Sequence, residues 1–454
     1  MAKQAYIITG LGYGDEGKGS IVDWLTVQHN VHTVIRTGGP QALHRVVTSD
    51  GREHVFSQFG SGTLRGARTH LSRQMLTAPS ALLREGRVLH TLCGRDVFTG
   101  VTIHRDSLLV TPVQAVTGRV RELLRGAARR GSVGVGVGEA VRDAEVLGEL
   151  ALYAGDLASP HLPEILSALW QYKRSQYESY ADRSSGLPEP IGTAVRNQLT
   201  LIADENLLQQ TIGEFTEIAR RVRIVDDEYV TENILTPGGT IICEGSQGVL
   251  LDRVHGFYPY TTKIRSVPNT ALELLATGGY TGQIHSLGIL RSYATRHGHG
   301  PFVTEDSNLT HELPDAKNHN DVWQGNFRVG HFDAVASRYA ATVCGPGTFD
   351  GLVLTCLDRT SQLDTWSVCT EYQHKNTNTY WQADNLIREN STSPKELSMK
   401  LGEYWPVLQH IDQQQSSEQT NQTRQIETIA TLVGIPVYAV SVGATEKDKF
   451  LYKT

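Results

Sequence analysis

The chain has 454 residues, 39% of them hydrophobic and 20% charged, with a formal net charge of −6. That is ordinary globular composition with ample material for a core, and its mild acidity argues against broad binding to nucleic acid or anionic membranes while leaving room for a local cationic pocket. Five scattered cysteines (Cys93, Cys243, Cys344, Cys356, Cys369) contain no C-x-x-C pair, which excludes a disulfide framework and reads as a reduced, cytoplasmic protein.

The first ten residues carry one lysine and run straight into a strand, so they do not read as a secretory signal. Apolar runs suited to buried strands recur at Ala5–Thr9, Thr33–Arg36, Thr240–Cys243, Gln283–Leu290, Leu352–Leu357 and Val437–Val440. Helical patterns fall at Gly19–Val27, Phe332–Thr342 and Gln419–Leu432. The alternation predicts an α/β fold with a large, mostly parallel central sheet flanked by helices. The polar segment Thr370–Gln422 reads as a surface excursion or small subdomain outside the core. Nothing marks a flexible linker, so one domain over 1–454 is expected. The longest uncharged stretch, Ile429–Thr445, is broken by Gly434 and Pro436 and reads as helix end, turn and strand, not a membrane span.

The strongest local signal follows the first strand: Gly10-Leu-Gly12-Tyr-Gly14-Asp15-Glu16-Gly17-Lys18-Gly19-Ser20. Glycines let backbone approach an anion closely, and amides at a helix start point at phosphate oxygens. Lys18 adds a point charge. Gly12, Gly14 and Gly17 satisfy a dinucleotide fingerprint, but Asp15 and Glu16 at its mouth would repel a metal-free pyrophosphate. Gly12-x-x-x-x-Gly17-Lys18 also looks like a P-loop, yet Gly19 stands where a magnesium-binding Ser or Thr is needed. A glycine-rich turn that merely packs a helix on a strand is the plainer alternative.

Gly14 to Gly19, with Ile21-Val22-Asp23 after it, resembles the signature loop of the adenylosuccinate synthetase family. The resemblance continues in family order through Glu244-Gly245-Ser246-Gln247-Gly248, Leu250-Leu251-Asp252 and His255–Tyr260. It extends through Leu287–Leu290, Thr295-Arg296 and Gly298–Phe302, then Thr355-Cys356-Leu357-Asp358 at a strand end, and finally Ser441-x-Gly443.

The resemblance implies a ligase using GTP and Mg2+. GTP phosphorylates the 6-oxygen of IMP, and the amine of aspartate then displaces the phosphate. It implies Asp15 as general base and magnesium ligand, His44 as a second catalytic residue supporting the transferring phosphoryl group, and Gln247 as donor to the developing oxyanion. Lys18 and the loop (Gly14, Glu16, Gly17, Gly19) would clamp the β- and γ-phosphates. Asp358 would accept from guanine N1–H and the 2-amino group, with Gly443 beside the base. Small-molecule partners, no nucleic acid, no membrane and a homodimer complete what it implies.

Departures cluster where substrate would sit. The second loop is Gly38-Gly39-Pro40-Gln41-Ala42-Leu43-His44-Arg45: Gln41 replaces an Asn, Leu43 a close-approach Gly and Arg45 a Thr. Arg45 could itself hold a phosphate, and Leu43 could still offer a carbonyl to magnesium. Val133 replaces the Thr that holds the 5′-phosphate and cannot hydrogen-bond; a partner-subunit arginine aligns with Leu147, with Arg142 nearby; Thr262 is retained. In the aspartate loop, Val322-Trp323-Gln324-Gly325-Asn326-Phe327-Arg328-Val329-Gly330, only Arg328 is charged. Cys356 replaces the base-stacking Lys. The default is therefore IMP with aspartate. The alternatives are a paralogue acting on a modified purine, an unphosphorylated nucleoside or another amine, and a non-catalytic GTP-binding regulatory protein. A dinucleotide oxidoreductase is the remaining rival.

Overall fold

The computed structural model describes residues 3–148, 151–315, 318, 323 and 325–452. In chain order the strands begin with β1 (Lys3–Gly10), β2 (Val31–Gly38), β3 (His44–Val47), β4 (Glu53–Phe56), β5 (Arg68–Met75) and β6 (Val101–His104). There follow β7 (Arg223–Val225), β8 (Gly239–Gly248), β9 (Gln283–Arg291), β10 (Ala294–His297), β11 (Phe327–Gly330) and β12 (Phe332–Asp333). The last are β13 (Gly351–Thr355), β14 (Thr365–His374), β15 (Tyr380–Trp381), β16 (Tyr404–Asp412), β17 (Val437–Ser441) and β18 (Lys449–Leu451). Ten of these form one sheet in the order β18-β17-β13-β9-β1-β8-β2-β5-β6-β7, parallel except for the edge strand β18. Its middle is apolar on both faces because helices cover both. Ala5, Ile7 and Ile8 of β1 are buried, as are Ile241, Ile242 and Cys243 of β8. Truncating such a side chain to alanine costs about 2–5 kcal/mol.

All these parallel strands end on the same rim, which is where the long loops gather. The helix after β1, α1 (Lys18–His29), starts at Gly17 with φ 90° and stops at Asn30 with φ 46°, a left-handed cap whose N–H reaches the Thr26 carbonyl. Buried Asp23 takes a bidentate ion pair from Arg65, with both contacts at 2.8 Å, and this fixes α1 against the loop after β4.

Two strand boundaries differ from the sequence reading. β13 stops at Thr355 because Cys356 adopts φ 61° and opens a short helix, Leu357–Thr360. Asp358 therefore lies in the first turn of that helix, not at a strand end. Phe332–Thr342 divides into strand and helix. Phe332 pairs with Val368, and Asp333 caps the helix Ala334–Val343 by accepting from Ala336 N–H at 2.9 Å.

The polar segment Thr370–Gln422 is not outside the core. Its strands β14–β16 are antiparallel, and Tyr372, Trp381, Leu386, Leu397 and Leu401 join the largest hydrophobic cluster. The Asn, Gln, Ser and Thr residues that dominate its composition mostly lie off that face. The helices between Pro112 and Arg221, unassigned from sequence, build a second cluster around Leu166, Trp170, Val195 and Phe215. No helix among the described residues is long and apolar enough to cross a membrane.

Candidate active site

The loop between β1 and α1 is closed on itself. Glu16 is buried and points inward: one oxygen accepts from Gly12 N–H (2.9 Å) and Gly14 N–H (2.8 Å), the other from Lys18 Nζ (2.6 Å). Lys18, 1% exposed, also donates to the Gly14 carbonyl at 2.8 Å. Burial alone would raise the Glu16 carboxyl, but Lys18 and the Gly14 amide hold it below the usual range. Glu16 is thus not at the mouth of the loop, as its place in the sequence suggested. It occupies the amide nest in which an anion would otherwise sit. Gly14 and Gly17 adopt φ 114° and 90°, conformations that favour glycine. A side chain at Gly19 would strike the His44 Cβ at 2.7 Å, so this position has no room for the P-loop hydroxyl residue.

Asp15 is the loop acid left facing outward. Its side chain is 27% exposed and lies 3.4 Å from His297 Nε2, while its carbonyl accepts from Arg291 Nε at 2.5 Å. Neither Arg291 nor His297 stood out in the sequence. Both come from β9 and β10, nearly 300 residues away, and only the fold brings them here. Thr355, at the end of β13, donates to the Glu16 carbonyl at 2.7 Å and so joins the fourth motif to the first.

His44 is buried with both ring nitrogens engaged. Nδ1 lies 2.5 Å from Glu244 Oε1, and Nε2 lies 3.0 Å from the Ser246 carbonyl. Arg36, 3.6 Å from Glu244, completes a buried triad, and Ser61 donates to both Glu244 oxygens. Burial would raise the Glu244 carboxyl, but Arg36 and His44 bring it down to about 2. Burial lowers the His44 value, and Glu244 opposes that. Burial prevails, so the His44 value lies below that of a free imidazole, and Glu244 and the Ser246 carbonyl fix the ring's orientation. The chain beyond β2 is pinned by Ser246, whose hydroxyl donates to the Thr37 carbonyl and accepts from Gly39 N–H.

The wall facing this loop is under-satisfied. Gln247 is buried, and neither its amide nitrogen nor its oxygen has a hydrogen-bond partner; Ser266 Oγ and Gln41 Oε1 share that state. Gln247, Ser246, Arg265 and Ser266 line one small cavity with Thr37. Gln41 Nε2 donates to Thr262 Oγ1 at 3.3 Å, so two sequence candidates meet. Thr262 is itself placed by its N–H on the Leu251 carbonyl (2.8 Å). Buried polar atoms without partners cost about 1–3 kcal/mol each, and a polar ligand that paired them here would recover that cost.

Other candidates are placed less directly. Asp358 and Gly443 share Asp448 as a neighbour. Burial, with Glu418 and Asp448, pushes the Asp358 carboxyl up, and a Cβ at Gly443 would meet Asp448 at 2.7 Å. Arg45 pairs with Glu53 in the β3–β4 hairpin at 2.7 Å, and Leu43 has an exposed side chain. Arg328 is tied to Glu305 (2.7 Å) and the Gly300 carbonyl (3.1 Å). Val322 and Gln324 of the same loop lie outside the described residues. Beside the Val133 loop, buried Glu139 takes the charges of Arg121 (3.0 Å) and Lys173 (3.3 Å), with Arg142 at 3.7 Å. Among the described residues no three acidic, histidine or cysteine side chains are grouped to hold a metal.

These features define a class: an α/β enzyme whose site is built from glycine-rich and polar loops at the C-terminal rim of a parallel sheet. The sequence profile described as adenylosuccinate synthetase matches residues 7–450. The adenylosuccinate synthetase of Pseudoalteromonas atlantica is 29% identical over 475 aligned positions, covering 100% of this chain and 99% of that protein. That of Mycobacterium leprae is 32% identical, covering 81% of this chain and 80% of the relative. Among solved structures, fully ligated adenylosuccinate synthetase from Plasmodium falciparum superposes with a TM-score of 0.77 at 20% identity, covering 99% of both chains. The cyanophage S-2L succinoaminodeoxyadenylate synthetase gives 0.56 at 17% identity, covering 100% of this chain and 97% of that one. The chain belongs to the adenylosuccinate synthetase family and is a carbon–nitrogen ligase of that type.

Proposed function

We propose that the chain uses GTP and Mg2+ to phosphorylate the 6-oxygen of a purine nucleotide, IMP by default, and replaces that phosphate with the amine of aspartate. The observation that carries this reading is the juxtaposition of the closed phosphate loop with the unpaired Gln247 amide, which abuts it through Gly248. Asp15 takes the N1 proton, which moves negative charge onto the 6-oxygen. That oxygen attacks the γ-phosphorus, the bond to the β-phosphate oxygen breaks, and GDP leaves. The amine then attacks C6, and the 6-oxygen departs with the phosphate. Gln247 donates to the charged 6-oxygen, which gives its amide the partner that the protein withholds. Lys18 must exchange Glu16 for a phosphate, so GTP opens the loop's internal ion pair. His44, oriented by Glu244 and the Ser246 carbonyl, would support the transferring phosphoryl group.

The donor set fits magnesium bound mostly through phosphates. Asp15 is the one acid at the loop not consumed by the loop itself, and the Leu43 carbonyl is a second oxygen; magnesium commonly takes one or two protein ligands and completes its shell with phosphates and water. When bound it would neutralise phosphate charge in the transition state. Asp358 and Gly443 would read the guanine base. A homodimer belongs to the same reading.

A second reading is favoured by the acceptor and amine side. Arg328 is already paired with Glu305, and Glu139 absorbs the cations beside Val133. Both leave less free positive charge for a 5′-phosphate or a dicarboxylate. The cyanophage neighbour, bound to dGMP and to dATP as an energy donor, puts guanine nucleotides and ATP into the test panel. The experiment is GDP release with GTP and magnesium, IMP and aspartate present together and each omitted. Release that needs both, with a succinylated product, supports the default. Release with another acceptor or amine supports the second reading. GTP binding with no release across the panel rejects both and leaves a regulatory protein.

A further inference from the structure

The opposite rim of the sheet, where the parallel strands begin, carries a second cleft. Arg68 opens β5 and Arg223 opens β7, and Arg221 sits just before β7. All three line one open cleft of about 520 Å³, together with Phe98, Gly100 and Tyr229, and no carboxylate lines it. The volume is that of a small-molecule site.

The charge there is poorly balanced for a chain of net −6. The Arg68 guanidinium meets only His32 Nδ1, at 3.4 Å. Arg223 meets only Tyr229, whose hydroxyl is 3.3 Å away and whose ring lies 5.4 Å below the guanidinium. Neither has a carboxylate within ion-pair distance among the described residues. Arg221 has two loose ones, Asp96 at 3.5 Å and Glu217 at 3.6 Å, and stacks on Phe98 at 4.0 Å. Arg221 is held over Phe98 and Arg223 against Tyr229, while Arg68 and Arg223 keep guanidinium N–H groups that no carboxylate takes among the described residues. Two arginines without a carboxylate partner among the described residues, Arg68 and Arg223, share one concave site.

We propose that this cleft binds a small phosphate-bearing anion, distinct from anything bound at the loop on the other rim. The inference does not depend on which acceptor or amine the active site uses.

The test is hydrogen exchange read by mass spectrometry on the full chain, titrated with inorganic pyrophosphate and, in a second arm, AMP. Slowed exchange in 98–103 and 221–225, separate from any response in 10–20, is expected. R68A/R223A should raise the midpoint for the rim response at least tenfold while the loop response stays put. Tighter protection by AMP than by pyrophosphate would support a nucleotide as the source, and the reverse an inorganic or other phosphate. Protection confined to 10–20, or an unchanged rim midpoint in the variant, would overturn the proposal. If the double variant does not fold, Arg223→Gln alone, at an exposed position, gives the same readout.

Discussion

The phosphate loop and the wall opposite it are built on contrary principles. In the loop Glu16 and Lys18 are paired internally, Glu16 on Lys18 and two amides, with Thr355 on the Glu16 carbonyl, and Asp15 alone of its acids faces outward. In the wall, Gln247, Ser266 and Gln41 keep buried polar atoms with none. Without ligand the loop is held by the Glu16 carboxylate in its amide nest, which an anion bound there would have to displace. The wall is left costly, and a ligand that pairs its atoms recovers that cost.

Substitutions at five positions would break or sharpen this contrast. Asp15→Ala is expected to lower single-turnover phosphoryl transfer by about 10³-fold, with GTP still bound, as for loss of a general base. Turnover near that of the parent would remove Asp15 from the role. Glu244→Ala should destabilise the fold by about 3–5 kcal/mol in denaturant titration, since it leaves Arg36 and His44 buried without their acid. The Glu244 carboxyl lies at about 2 in the fold against 4.5 ordinarily, so its contribution, about 3 kcal/mol, is present above pH 4.5. It is lost as pH falls towards 2, and a Glu244→Gln chain should lack that portion of the acid transition.

Gln247→Leu should move two quantities in opposite directions. Stability should rise by about 1–3 kcal/mol, because an unpaired buried amide is removed, while kcat/KM falls about 10²-fold. A loss of both would mean that the amide is structurally paired. Asp358→Ala should cut the preference for GTP over ATP by about tenfold, one charge-assisted pair's worth. An unchanged ratio would place base reading elsewhere. Arg328→Ala should raise the KM for the amino acid less than about threefold, since its charge is already spent on Glu305. A much larger rise would show that substrate displaces Glu305.

The first loop was legible because backbone geometry dictated it. Gly14 and Gly17 at positive φ, a strand before and a helix after leave few other arrangements. The sheet was legible too, since its central strands are apolar on both faces. What sequence could not show was pairing across distance. Lys18 was read as a point charge for phosphate, but it rests on Glu16. His297 reaches Asp15 and Glu244 reaches His44 only through strand order. Composition misled for Thr370–Gln422, because a two-faced sheet hides its apolar residues among polar ones.

The most direct measurement of the central claim follows the 6-oxygen. With [6-18O]IMP, GTP, magnesium and aspartate, the label is expected in the inorganic phosphate released, because that oxygen attacks the γ-phosphorus and leaves with it. Succinylated product accompanied by unlabelled phosphate would contradict the phosphorylated-purine route altogether.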